Sequence, residues 1–180
     1  MTSRGTSEYQ LNQAMRRDPR WAGTHAADQL PAFDKLPHGA FLIANYDNAG
    51  QAGSHWIAFG NLNAGGKHPL YFDSFGLSPD QLNDTLGAKA HFRRYLEAAA
   101  RHNGRAPWIN RVDLQCMMPN HSHNVTADVC GEFAVLFCRW KVLPVDPVTG
   151  HVNKQWAPIF SWRSSCEKSE HLVKKMAGIR

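Results

Sequence analysis

The chain has no long apolar run: no stretch approaches the roughly 18 consecutive apolar residues of a membrane span, so no membrane association is expected. Its opening residues, Met1-Thr2-Ser3-Arg4-Gly5-Thr6, lack the apolar centre of a secretory leader. Cysteine is scarce. Four thiols, Cys116, Cys130, Cys138 and Cys166, in 180 residues are too few for a disulfide scaffold and fit a reducing compartment. A soluble, intracellular protein is the expectation, with the sequons at Asn120 and Asn124 of no consequence. Repeats and low-complexity tracts are also absent, and with 43% hydrophobic against 19% charged residues the body of the chain is not disordered.

What is present suits one domain over residues 1–180, large enough to bury roughly two-thirds of its unfolded surface without metal or disulfide. The formal charge is +5 and the pI about 9.2, which favours polyanionic partners, nucleic acid above all. The basic residues are nevertheless scattered, through Arg16-Arg17, Arg93-Arg94, Arg101, Arg105 and Lys174-Lys175, so contact with DNA stays open at this point.

Ser7 followed by Gln10 has the form of a capping box, and Leu11, Ala14 and Met15 give a short helix one apolar face before Pro19. Trp21 to Pro37 reads as a structured loop anchored by Trp21, Leu30 and Phe33. Three strands are expected at Ala40–Asn45, Ser54–Gly60 and Pro69–Phe75, forming an antiparallel meander. Ser78 and Pro79 open a helical segment reaching about Arg101, with Gly87 as its weak point. A fourth strand is expected over Trp108–Gln115, followed by a polar, His-rich loop over Cys116–Val129. Phe133, Leu136, Phe137 and Trp140 then fall at i, i+3, i+4 and i+7, a helical stripe stopped by Pro144.

Cys130 and Gly131 stand at the front of that last helix. A thiol is nucleophilic only as thiolate, and a helix N-terminus stabilises the anion through its unpaired N–H groups and dipole. Gly131 is expected to leave the sulfur uncrowded and let a substrate carbonyl reach the backbone donors. Glu132 is expected to interact with the N-terminal dipole. In Ser54-His55-Trp56-Ile57, alternation sends His55 and Ile57 to one face and Trp56 to the other. Leu70-Tyr71-Phe72-Asp73, on the next strand, is placed to offer a carboxylate to one imidazole nitrogen, leaving the other to the thiol. Nucleophile, base and orienter thus come from a helix N-terminus and two neighbouring strands.

His55-Trp56, Tyr71-Phe72-Asp73-Ser74-Phe75-Gly76 and Cys130-Gly131-Glu132-Phe133 together resemble the adenain-type proteases of adenovirus maturation and their relatives, the SUMO-specific proteases. Trp21-Ala22-Gly23-Thr24, Leu30-Pro31-Ala32-Phe33 and Phe75-Gly76-Leu77-Ser78-Pro79-Asp80-Gln81-Leu82 extend the resemblance over about Ser7 to Pro147. It implies an α+β cysteine-protease fold of the papain-like, adenain-like kind, a mixed sheet flanked by helices. It implies a viral maturation protease that cleaves capsid or core precursors at Gly-containing sites, in the host nucleus and the virion. It also implies activation by DNA and a short viral peptide, with no cofactor in the chemistry and a monomeric enzyme. Asp73 stands where adenains carry Glu, the usage of the SUMO branch, and Trp108 where adenains carry the cysteine that bonds the peptide. The family's oxyanion-hole Gln corresponds to Gln115 if a loop is inserted before Cys130, or to Asn124 by spacing alone.

Other readings carry their own residues. Cys116, His121, His123 and Cys130 are possible zinc ligands, though a structural metal would consume the nucleophile. A deconjugating enzyme acting on SUMO or ubiquitin-like conjugates would use the same machinery, and an inactive relative would serve as a binding module for DNA or a capsid protein. Met176-Ala177-Gly178-Ile179 partly resembles an adenain cleavage motif, against the plainer reading of an exposed tail.

Overall fold

A computed structural model describes residues 5–61, 68–86, 91–115, 129–161 and 166–179. The chain forms an α+β fold around one mixed sheet of five strands in the order β1-β2-β3-β4-β5. The strands are β1 (Trp21–His25), β2 (Phe41–Asn45), β3 (Trp56–Gly60), β4 (Leu70–Phe72) and β5 (Trp108–Ile109). Strands β2, β3 and β4 are the expected antiparallel meander, while β1 joins β2 and β5 joins β4 in parallel. The helices are α1 (Glu8–Met15), α2 (Pro79–Leu86), α3 (His91–Asn103), α4 (Cys130–Trp140), α5 (Ala157–Ser161) and α6 (Cys166–Ala177). Among the described residues no helix is long and apolar enough to cross a membrane.

Alternation along the strands divides the core in two. Phe41, Ile43, Ala58, Leu70 and Phe72 face α1, α4, Trp156 and Val173 of α6. Leu42, Ala44, Ile57, Phe59 and Tyr71 face Phe33, Leu82 and the Phe92, Tyr95, Leu96 and Ala99 face of α3. Every residue of α4 from Gly131 to Cys138 is buried. The helix is thus buried on all sides over this stretch, not along one stripe, because the sheet takes one side while α1 and α6 take the others. Phe137 stacks on Phe72 at 4.9 Å and meets Phe41 edge-on at 5.8 Å. Each such ring contributes about 1.5–3 kcal/mol by leaving water, and together they fix α4 and its first residue against the sheet.

Several elements depart from the sequence reading. Trp21–His25 is a strand, not a loop: Gly23 at φ +97° sits where the register with β2 shifts between Trp21 and Thr24, and this bulge hides the alternation. Strand β5 holds only Trp108 and Ile109, because Asn110 turns its side chain onto the backbone of Asp73 and Val112. Helix α4 ends before Pro144: Lys141 adopts a left-handed φ of 59°, its N–H bonds Phe137 O at 2.7 Å, and its Nζ reaches Asp18 at 2.7 Å. The ends of α1 and α2 follow the expectation, with Ser7–Gln10 and Ser78–Gln81 side chains exchanging hydrogen bonds with the backbone. Gly87 lies outside the described residues.

Candidate active site

His55 precedes the first ladder pair of β3, Asn45 with Trp56, yet its carbonyl still accepts from Tyr46 N at 2.8 Å. Its backbone is therefore tied to β2 while its side chain is free of the strict alternation expected for a strand interior. The imidazole turns toward the turn after β4, where His55 Nε2–H donates to Asp73 Oδ1 at 2.7 Å. Both groups are buried, at 2% and 0% exposure. Asp73 is held by its own turn: Oδ1 also accepts the Phe75 N–H at 2.9 Å, and the Asp73 carbonyl accepts from Asn110 Nδ2 at 2.6 Å. Its other oxygen, Oδ2, has no hydrogen-bond partner among the described residues. His55 is the basic side chain beside it.

Cys130 is the first residue of α4 and is partly exposed. It hydrogen-bonds the imidazole from the side opposite the carboxylate. With Nε2 committed to Asp73, Nδ1 is the nitrogen left for sulfur. Burial disfavours the imidazolium, but the hydrogen bonds and charges of Asp73 and Cys130 outweigh it, and the His55 pKa is pushed up to about 10. At neutral pH the ring is therefore a cation, and a neighbouring imidazolium is the setting that makes a thiol nucleophilic. The other described free thiol differs in kind: burial in apolar surroundings pushes Cys138 well up, and it faces the core.

Sulfur and imidazole open onto a cavity of about 680 Å³ whose walls include Thr6, Glu8, His25, Asp47 and Ser54. Among the described residues no side chain caps the N-terminus of α4, where Val129 occupies the capping position, and the first-turn N–H groups of a helix are natural donors to an anion. Gln115 is not part of that lining. It is buried, and its amide nitrogen donates to Ser74 Oγ, beside Asp73. The rival donor Asn124 and the zinc candidates Cys116, His121 and His123 lie outside the described residues. Among the described residues no group of three or more His, Cys, Asp or Glu side chains is arranged to hold a metal. Trp108 stacks on His68 at 4.5 Å.

One expectation at the nucleophile is corrected, and Glu132, in the first turn of α4 as expected, gains a partner. A Cβ on Gly131 would lie 2.8 Å from Thr6 Cβ and 3.2 Å from Leu11 Cδ2, so the glycine makes room for the N-terminal segment and α1 rather than for a substrate. Glu132 is buried, and its Oε2 accepts a hydrogen bond from Thr6 Oγ1 at 2.6 Å. The same segment is fixed once more, by Trp56 Nε1 donating to Thr6 O at 2.8 Å.

Sequence reasoning missed Thr6, Phe75 and Asn110. Phe75 stacks on His55 with ring centroids 4.2 Å apart and planes 6° apart. A signal for it existed, because Asp-Ser-Phe-Gly is turn chemistry and a turn directs neighbouring side chains together. Thr6 and Asn110 carried none, since their roles arise from contacts with chain 126 and 37 positions away. No family model matches the sequence, and no curated protein matches it either.

Proposed function

We propose that this chain is a cysteine endopeptidase of the adenain type, built on a papain-like arrangement. The observation that carries the reading is the His55 ring, hydrogen-bonded to the buried Asp73 carboxylate and sharing the wall of one open cavity with the Cys130 thiol, which raises its pKa.

In the proposed reaction the Cys130 thiolate adds to a peptide carbonyl, forming a C–S bond and an oxyanion. First-turn N–H groups of α4 stabilise that oxyanion, and losing one such donor typically costs about 2.7–4 kcal/mol of barrier. The His55 imidazolium gives its proton to the leaving nitrogen as the C–N bond breaks, leaving a thioester. Neutral His55 then takes a proton from water, whose oxygen attacks the thioester, and the thiolate departs from the acid product. Asp73 holds the ring's tautomer throughout and stabilises its charge.

The resemblance extends this to viral precursor proteins cut at Gly-containing sites, with DNA and a short peptide as activators. The net charge of +5 supports a polyanionic partner. Asp73 in the acidic position equally supports the SUMO-type branch, in which a Gly–Lys isopeptide replaces the scissile bond. The test is cleavage of Gly-containing viral-type peptides and of Gly-Gly reporters by the pure protein, with and without DNA, against Cys130→Ser. Cleavage lost in Cys130→Ser is expected. Intact substrates under every condition, or equal cleavage by the variant, would remove the protease reading.

A further inference from the structure

We infer that Phe75 is a positioning residue whose ring holds the His55 imidazole in line between Asp73 and Cys130. This rests on the reading of Cys130 as a nucleophile activated by His55, and deepens it.

Phe75 is partly exposed and belongs to neither half of the core, so core packing does not explain its aromatic ring. Its ring contact is the imidazole, face to face at 4.2 Å. Its backbone N–H donates to Asp73 Oδ1, the same oxygen that receives His55 Nε2–H. One residue therefore sets both the acid's position and the face on which the base lies. The turn that carries it is rigid. Gly76 has φ +73°, and a Cβ there would come within 2.6 Å of the Val112 backbone and 2.8 Å of Asp113 N. Gly76 N also bonds Asp73 O at 3.0 Å.

An imidazole on a single methylene turns about two bonds, and only one orientation addresses carboxylate and thiol together. A parallel ring against one face blocks the rotation about the second bond, and its π-cloud attracts the imidazolium more than the neutral ring. The titratable groups acting on the imidazole are Asp73, from the turn after β4, and Cys130, from α4. Leucine at position 75 would shield the same face from water without a π-face, which separates stacking from simple cover.

The test uses the full chain with Phe75→Leu, Phe75→Tyr and Phe75→Trp. His55 is titrated by imidazole 15N resonances, assigned by their loss in His55→Gln. Alkylation of Cys130 by iodoacetamide is followed against pH by peptide mass. Phe75→Leu is expected to lower the His55 pKa by about 0.5–1.5 units, the range from an exposed to a desolvated cation–π contact, and to slow alkylation at pH 7 several-fold. Phe75→Tyr should match the parent, and Phe75→Trp should titrate above Phe75→Tyr. A flat series in both readouts overturns the role. Should the leucine variant fail to fold, Phe75→Trp titrating no higher than Phe75→Tyr overturns it instead. Neither readout needs peptide cleavage. The expected series in a protein that cleaves nothing keeps Phe75's role and removes the protease reading, and normal cleavage with a flat series does the reverse.

Discussion

Thr6 Oγ1 donates to Glu132 Oε2 at 2.6 Å, tying the start of the chain to the first turn of the helix that carries Cys130. The bond satisfies a buried carboxylate two residues beyond the nucleophile, and the segment that supplies it is also a wall of the cavity. The N-terminal segment is therefore structural and lines the candidate site at once.

Thr6→Val should lower stability by about 1–3 kcal/mol, the cost of leaving a buried acceptor without its donor, read as a fall in the midpoint of chemical denaturation. Thr6→Ser should keep most of the parent's stability. Gly131→Ala, which sets a methyl 2.8 Å from Thr6 Cβ, should cost a further kind of strain, about 1–3 kcal/mol. Its turnover should fall as the N-terminal wall is displaced. A Thr6→Val protein as stable as the parent would show that Glu132 is satisfied by other means.

Asp73→Asn should leave the fold in place and reduce turnover by about 10⁴-fold if the acid acts as in other nucleophile–base–acid triads. The pH profile carries a sharper signature. In the proposed reaction His55 is protonated when it releases the amine, so the parent's alkaline limb should fall near pH 10, where the ring loses its proton. Removing the Asp73 charge removes a cause that raises this pKa, and the limb should move toward the ordinary value of 6.5. An unmoved limb in Asp73→Asn would mean that another group sets it.

Stability should follow the same proton. The folded-state pKa of His55, about 10, lies above the model value of 6.5, so the native state binds more protons than the unfolded state between those limits. The contribution is complete below about pH 6.5 and is lost as pH rises through 10. Denaturation midpoints of the parent should decline across that window, and those of His55→Gln should decline less. Equal slopes in the two proteins would remove the linkage.

Much of this was readable from residue order because the informative signals were local. The capping pair Ser7–Gln10, the apolar runs Phe41–Asn45 and Trp56–Gly60 between Gly- and Asn-rich turns, and the apolar spacing from Phe133 to Trp140 each specify an element within a dozen residues. His55, Asp73 and Cys130 were recognisable because each sits where such an element begins or ends. Strand β1 escaped because a glycine bulge breaks its period, and α5 and α6 because the chain after Pro147 offered few distinctive signals. The true function of Gly131 was hidden for another reason: a glycine beside a nucleophile suggests access, and only the packed Thr6 and Leu11 show otherwise.

The two parallel pairings, Trp21 to Phe41 and Leu70 to Trp108, close over long intervening stretches, and α4 arrives later still in the chain. Such distant pairings form slowly. A nascent chain emerging from the ribosome carries the ring of His55 and the acid of Asp73 well before it carries sulfur. Under the proposed reading, any fragment ending short of α4 lacks its nucleophile, so hydrolysis waits until Cys130 has been made and packed against the sheet.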